Sequence, residues 1–272
     1  MQDGTILISN TDITTNLPYV EGVHLAFDHH SSEVSWAGGE KLDNHIIDPD
    51  APSAARVVYD HYGGKDKFPN VSEDMMAAVD QGDAAQFSED EIINAAGWPL
   101  LNYLMDSRTG LGRFREFRVS NYNLMMQLID FCRDHYVDEI LALPDVKERV
   151  DLYMDHLDKF KDQIKKCSTV HGNLVVLDLR EEETIYAGNQ FMIYALYPDA
   201  NISIHVLWGL NKLNTVFATG KSIINRSSNT DIGDLMLKYS GGGHANAGTC
   251  QVDNEDAKRV LGELTKQINE DG

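Results

Sequence analysis

Asp28, His29 and His30 stand together directly after the apolar run Val23-His-Leu-Ala-Phe27. A carboxylate and two imidazoles are metal-ligating and proton-moving groups, and this mixed oxygen and nitrogen set suits Mn2+, Mg2+, Fe2+ or Zn2+. Residues 23–27 read as a buried parallel strand. Such strands release polar side chains at their carboxyl ends, where α/β sheets open a binding crevice. A polar turn capping the strand is the ordinary alternative. Asp12 follows an apolar segment at residues 5–10, and Asp80 and Asp83 close an apolar helix. In a doubly wound sheet such ends converge, and a metal needs deprotonated ligands gathered without matching cations. For each aspartate taken alone, a helix cap or a solvated turn is the alternative.

A second cluster is Gly241-Gly242-Gly243-His244. Consecutive glycines let the backbone approach a ligand and offer N–H groups to an anion, and His244 could then bind phosphate. A glycine-rich hairpin explains the same letters. Arg226, in Asn225-Arg226-Ser227, could give a bidentate phosphate contact. A third candidate is Ser107-Arg108-Thr-Gly110-Leu-Gly112-Arg113, where Arg108 and the glycines suit a phosphate loop and a surface turn is the alternative.

The elements that must position these groups follow from periodicity. Strands at 5–10 and 23–27 alternate with helices starting at Ser53 and Ser72, which implies a doubly wound parallel sheet. From 120 to 166 the pattern is helical: Ser120 is an N-cap, and Pro144 opens a helix whose stripe runs Val146, Val150, Tyr153, Leu157, Phe160, Ile164. After Gly172 come β-rich segments at 174–179, 191–196, 202–207, 215–218 and 249–252, a helix capped by Thr230, and a final helix through Ile268. The expected division is a first lobe at 1–118, a helical connector at 119–167 and a second lobe at 168–272.

A length of 272 residues suits one large domain or two ordinary ones. With 43 acidic against 23 basic side chains the net charge is −20, which opposes electrostatic tracking along nucleic acid. A hydrophobic fraction of 42% supports a real core, and no apolar run is long enough to span a membrane. The start, Met-Gln-Asp-Gly, has no basic n-region, so no signal peptide is expected. Three dispersed cysteines, Cys132, Cys167 and Cys250, fit a reducing cytoplasm better than a disulfide framework.

Asp28-His29-His30 after a buried strand, with Gly241-Gly242-Gly243-His244 near the C-terminus, resembles the DHH phosphoesterase superfamily and within it the DHH–DHHA1 subfamily. That group includes oligoribonucleases, cyclic-dinucleotide phosphodiesterases, single-strand DNA exonucleases and exopolyphosphatase-related proteins. The resemblance covers nearly the whole chain. The segments from Ile223 through Asp231-Ile-Gly233, and Asp48-Pro-Asp-Ala-Pro52-Ser53-Ala54, also match the family layout. It implies an α/β fold: a parallel-sheet lobe, a helical connector and a smaller mixed-sheet lobe.

The resemblance further implies two metals, usually Mn2+ with Mg2+ as the alternative. His29 would be a direct ligand, Asp28 would support it, and His30 would face substrate phosphate. Asp12 would bridge the metals, with Asn10 a poorer candidate. Asp83-Ala-Ala-Gln-Phe87 fits the family's Asp-Thr-Gly-x-Phe motif, so Asp83 is preferred as ligand and Asp80 is the alternative. His244, the three glycines and Arg226 would hold the outer part of the substrate. The family's first motif, a histidine followed by Asp-x-Asp, has no match upstream of Asp12; Asp48-Pro49-Asp50 has the letters but lies after the DHH motif.

The expected chemistry is two-metal hydrolysis of a phosphoester or phosphoanhydride in a short substrate: an oligonucleotide, a cyclic dinucleotide or polyphosphate. Without the first motif, a nucleotide- or polyphosphate-binding protein of impaired catalysis is the rival. A family II pyrophosphatase is a second rival, disfavoured by the Gly-Gly-Gly-His run. Tyr194, Tyr197, Trp208 and Phe217 read as core rather than as a base-stacking platform. No membrane partner is expected, and a homodimer is a permitted assembly.

Overall fold

The computed structural model describes residues 7–30 and 42–272. The chain forms two compact units that divide between Gln86 and Phe87. The expected boundary near 118 therefore differs from the observed division. Helices after Phe87 belong with the second unit, because their apolar faces share one core with its sheet.

In the first unit, β1 (Ile13–Thr15), β2 (Leu25–Asp28) and β3 (His45–Ile47) form a parallel sheet in the order β1-β2-β3. Ala26 and Phe27 of the central strand are buried. The strand expected over 5–10 is not formed at Leu7–Asn10, and its first residues lie outside the described ones. Strand pairing begins later because Ile13 is the residue aligned with Leu25.

Helix α1 (Ala54–His61) starts at Ser53, whose hydroxyl accepts the Arg56 N–H at 3.0 Å. Helix α2 (Glu73–Asp83) starts at Ser72, which accepts the Met75 N–H. Both are the serine caps read from sequence, each contributing about 1 kcal/mol.

The second unit begins with α3 (Glu89–Ile93), α4 (Gly97–Met105), α5 (Asn121–Asp134), α6 (Val137–Ala142) and α7 (Pro144–Cys167). Ser120 caps α5 and Pro144 opens α7, as expected. Strands β4 (Ser168–His171), β5 (Leu174–Asp178), β6 (Ile202–Trp208), β7 (Asn214–Lys221), β8 (Gly242–His244) and β9 (Ala247–Asp253) form a mixed sheet in the order β4-β5-β6-β7-β9-β8.

Leu174–Leu177 is a continuous apolar run because both sheet faces are covered. Val175 and Leu177 join the core under α3–α7, while Leu174 and Val176 join the core under α9 (Ile232–Leu237) and α10 (Ala257–Asp271).

Two expectations in this unit are corrected. Residues 191–196 form a short helix, α8 (Met192–Leu196), rather than a strand. Met192, Ile193 and Tyr194 are all buried, and a fully buried short run carries no period to distinguish the two. Asn189 decides it locally, since its side-chain oxygen accepts the Phe191 N–H and its carbonyl accepts the Met192 N–H. The N-cap of α9 is Asp231 rather than Thr230, with the Asp231 carboxylate accepting the Asp234 N–H at 3.0 Å. Among the described residues, no helix is long and apolar enough to cross a membrane.

Candidate active site

Asp28 ends β2 and is 1% exposed. One of its carboxylate oxygens accepts three donors: the His29 N–H at 2.7 Å, the His30 N–H at 3.1 Å and His30 Nδ1 at 2.6 Å. A carboxylate can leave the sheet at this depth only because those donors replace its lost water. The consequence reaches His30. With Nδ1–H given to Asp28, the Nε2 atom is the nitrogen left for chemistry, and the side chain is 44% exposed. A buried carboxylate that sets the tautomer and orientation of an accessible histidine is a common arrangement for proton transfer to a bound oxygen.

His29 turns the other way. Its Nδ1 lies 3.1 Å from the Ala51 carbonyl, which can only accept, so Nδ1 carries the hydrogen. Its Nε2 then faces Asp83 Oδ2 at 3.2 Å. The two atoms are off the line that a hydrogen bond requires, and among the described residues Nε2 is a buried nitrogen without a hydrogen-bond partner. An imidazole lone pair and a carboxylate oxygen that face each other could both donate to one cation. A divalent metal fits that donor pair, and the Ala51 carbonyl would orient its histidine ligand.

Asp80 and Asp83 lie three residues apart on α2 and have different roles. Asp80 accepts the Ser53 hydroxyl at 2.7 Å and is clasped by the Arg56 guanidinium, with Nε at 3.0 Å. It ties α2 to the start of α1. Asp83 faces His29 and, among the described residues, accepts only a long 3.4 Å contact from the Ala54 N–H. Among the described residues no group of three or more His, Cys, Asp or Glu gathers around one point, so His29 and Asp83 stand as a pair.

Asp12 lies apart from these residues. It precedes β1 and lies beside His24, since its carbonyl accepts the His24 N–H at 3.0 Å. Asp28 is four residues further along the parallel neighbour, about 13 Å away at the other end of the sheet. The Asp12 carboxylate is taken by the Ser9 N–H and hydroxyl, which hold its pKa below the usual value.

In the second unit the glycine run is a hairpin arm. Added Cβ atoms at Gly241 and Gly243 would lie 2.3 Å from the carbonyls of Thr249 and Ala247, so these two glycines permit β8 to close on β9. Only Gly242 has open space where a side chain would stand. His244 is exposed, and its Nδ1 accepts the Asn246 N–H at 3.4 Å. Gly220 of β7 aligns with Ala247, so the loop carrying Arg226 leaves the same end of the sheet on which His244 sits. That loop is fastened by Ser222, whose hydroxyl accepts the Ile224 and Asn225 N–H groups, and Arg226 Nε donates to the Ile223 carbonyl. Arg108 is paired with Asp106 at 2.9 Å.

No family model and no curated protein matches the chain. Among solved structures, the pGpG-specific phosphodiesterase PggH from Vibrio cholerae is 62% identical. The alignment covers 100% of this chain and 88% of that one, with a TM-score of 0.83. The chain belongs to the DHH–DHHA1 phosphoesterase family. A DHH domain described as belonging to a ribosomal-protein family is 14% identical with a TM-score of 0.52, covering 90% of this chain and 63% of that one, and it shows the same fold.

For a DHH–DHHA1 protein, the structure brings Asp28, His29, His30 and Asp83 together in the first unit and Arg226 with His244 in the second. It commits Asp80 and Arg108 to ion pairs and leaves Asp12 apart. The sequence offered no sign of the Ala51 carbonyl that sets the His29 tautomer, because a backbone oxygen has no letter of its own.

Proposed function

We propose that this protein is a metal-dependent phosphodiesterase that cleaves short linear nucleotides of the pGpG type. The observation that carries the reading is the His29 Nε2 lone pair facing the Asp83 carboxylate, next to the Asp28–His30 pair. The 62% identity to PggH supports the substrate class. Water adds to phosphorus and the 3′ oxygen leaves with a proton, so pGpG and one water become two GMP.

His29 and Asp83 would hold a divalent cation, and the nitrogen donor favours Mn2+ over Mg2+. When bound, such a cation supplies Lewis acidity and a water ionised near neutral pH. Asp28 holds Nδ1–H of His30, so a protonated Nε2 donates to a phosphoryl oxygen or to the departing 3′ oxygen. His244, the open backbone at Gly242 and Arg226 would bind the outer part of the nucleotide. The net charge of −20 disfavours long polyanions, consistent with a short substrate.

The test is hydrolysis of pGpG, a cyclic dinucleotide and polyphosphate by the purified chain with Mn2+, with Mg2+ and with chelator. The reading expects GMP from pGpG in Mn2+ and none in chelator. Binding of pGpG in Mn2+ without release of GMP would replace it with the nucleotide-binding alternative.

A further inference from the structure

Helix α5 is apolar on two sides. Leu124 and Leu128 are buried, and Met125, Phe131 and Cys132 pack against the core of the second unit. Tyr122, Met126 and Ile129 stand in solvent, 73%, 51% and 66% exposed. At about 3.6 residues per turn these three fall on one stripe, turned away from Leu124 and Leu128. An ordinary surface helix is polar there. The spacing of four residues and then three is that of a seam between helices laid side by side. The next position along the stripe is Arg133, whose guanidinium pairs with Asp130 and Asp134.

The surrounding sequence has the composition of an interface. From 68 to 146 the chain contains no lysine, and the basic residues around the stripe are all arginines. Protein interfaces are rich in Tyr, Met and Arg and poor in Lys, whose compact charge holds its water.

The two ends of the stripe differ in charge. Arg113, Arg115 and Arg118, with Glu116, lead into the helix. Asp130, Asp134, Asp138 and Glu139, with Arg133 and His135, lie on and after its last turn. All of these side chains are exposed, and Arg118 also holds Asp145 at 2.8 Å. A uniformly basic or uniformly acidic partner would be repelled at one end. A second copy of the same helix, run antiparallel, sets each basic end against an acidic one and each helix N-terminus beside a C-terminus. The net charge of −20 opposes self-association, but salt screens exposed charges beyond about 8 Å, so the local pairing decides.

We propose that the Tyr122–Met126–Ile129 stripe of α5 is a twofold interface between two copies of this chain. Met126 sits at the axis and meets Met126 of the second copy, Tyr122 meets Ile129, and the Arg115 end faces the Asp134 end. Such a contact is isologous and closes as a dimer. Helix α5 has 14 residues and is about 21 Å long, so the contact falls at the small end of specific interfaces and the dimer is a weak one. The surface lies wholly in the second unit and is independent of the phosphodiesterase reading.

Sedimentation of the full chain between about 1 and 200 µM reads the equilibrium directly. The wild type should pass from monomer to dimer in that range. Met126→Asp and Ile129→Asp should each weaken dimerisation at least tenfold with the melting temperature retained, since both side chains are exposed. The control Leu210→Asp alters an exposed leucine in the turn after β6 and should dimerise as the wild type does. Asp134→Arg should also weaken the dimer, and adding Arg115→Glu should bring it back to within about threefold of the wild type.

A wild-type chain that stays monomeric throughout overturns the inference and leaves the stripe to a different protein. A dimer that survives Met126→Asp and Ile129→Asp places the contact elsewhere and overturns it as well. Failure of Arg115→Glu to rescue Asp134→Arg overturns the antiparallel pairing.

Discussion

The end of β2 and the glycine hairpin of β8 and β9 are built on opposite principles. At Asp28-His29-His30 the side chains do the work: a buried carboxylate gathers three donors, and a histidine lone pair faces a second carboxylate. At Gly241–Gly243 the absence of side chains does the work, since two of the three glycines are needed only to let strands approach. The first region should therefore fail electronically when altered, and the second sterically. Substitution can separate the two.

The largest effect is expected at the first region. His29→Ala and Asp83→Asn should each lower metal affinity and kcat by at least a hundredfold, with little change in melting temperature, read by calorimetric metal titration and GMP release. Asp80→Asn is the contrasting variant on the same helix. It should retain metal affinity and lose stability through the Arg56 pair, and a hundredfold loss of metal affinity there would erase the distinction between the two aspartates.

The second expected effect sets one histidine against another. His30 has an acceptor partner in Asp28 and solvent access, whereas His205, on β6, is held neutral by burial with a pKa of about 4. The unfolded chain takes up a proton there near pH 6.5 and the folded chain does not. Stability is therefore full above pH 6.5 and falls as pH drops towards 4, by about 3 kcal/mol at most. Thermal melts of the wild type and His205→Gln between pH 7 and 4 test this; equal slopes would refute it.

A smaller loss is expected in the hairpin. Gly241→Ala forces a Cβ against the Thr249 carbonyl and should cost about 1–3 kcal/mol, read as a lower melting temperature. Gly242→Ala is the smallest change, within about 0.5 kcal/mol in stability, since its Cβ meets open space. Its effect, if the backbone there approaches substrate, is a raised KM. A destabilised Gly242→Ala with an unaffected Gly241→Ala would invert the assignment.

Much of the frame was legible from single residues. Ser53, Ser72 and Ser120 cap helices because a serine before an apolar periodic run has one local use. The run Leu174–Leu177 read as β-rich, and the structure buries both of its faces. Residues 191–196 were misleading because Met192, Ile193 and Tyr194 are buried in succession, which removes the period, and the Phe191 N–H bonded to the Asn189 side chain then chooses helix. The place of Asp12 follows from strand pairing that starts at Ile13, a matter of register that no side chain announces.

By itself, the sequence determined the chemistry on offer: the Asp-His-His tripeptide, the two aspartates of α2, the glycine run and the arginine-rich turn. Chemical type is a property of each residue alone. Only the tertiary structure decided which groups remain available. Asp80 goes to Arg56 and Arg108 to Asp106, while Asp83 faces His29. Charges pair with whatever packing brings within about 4 Å, and that distance depends on how helices and strands meet rather than on their order in the chain.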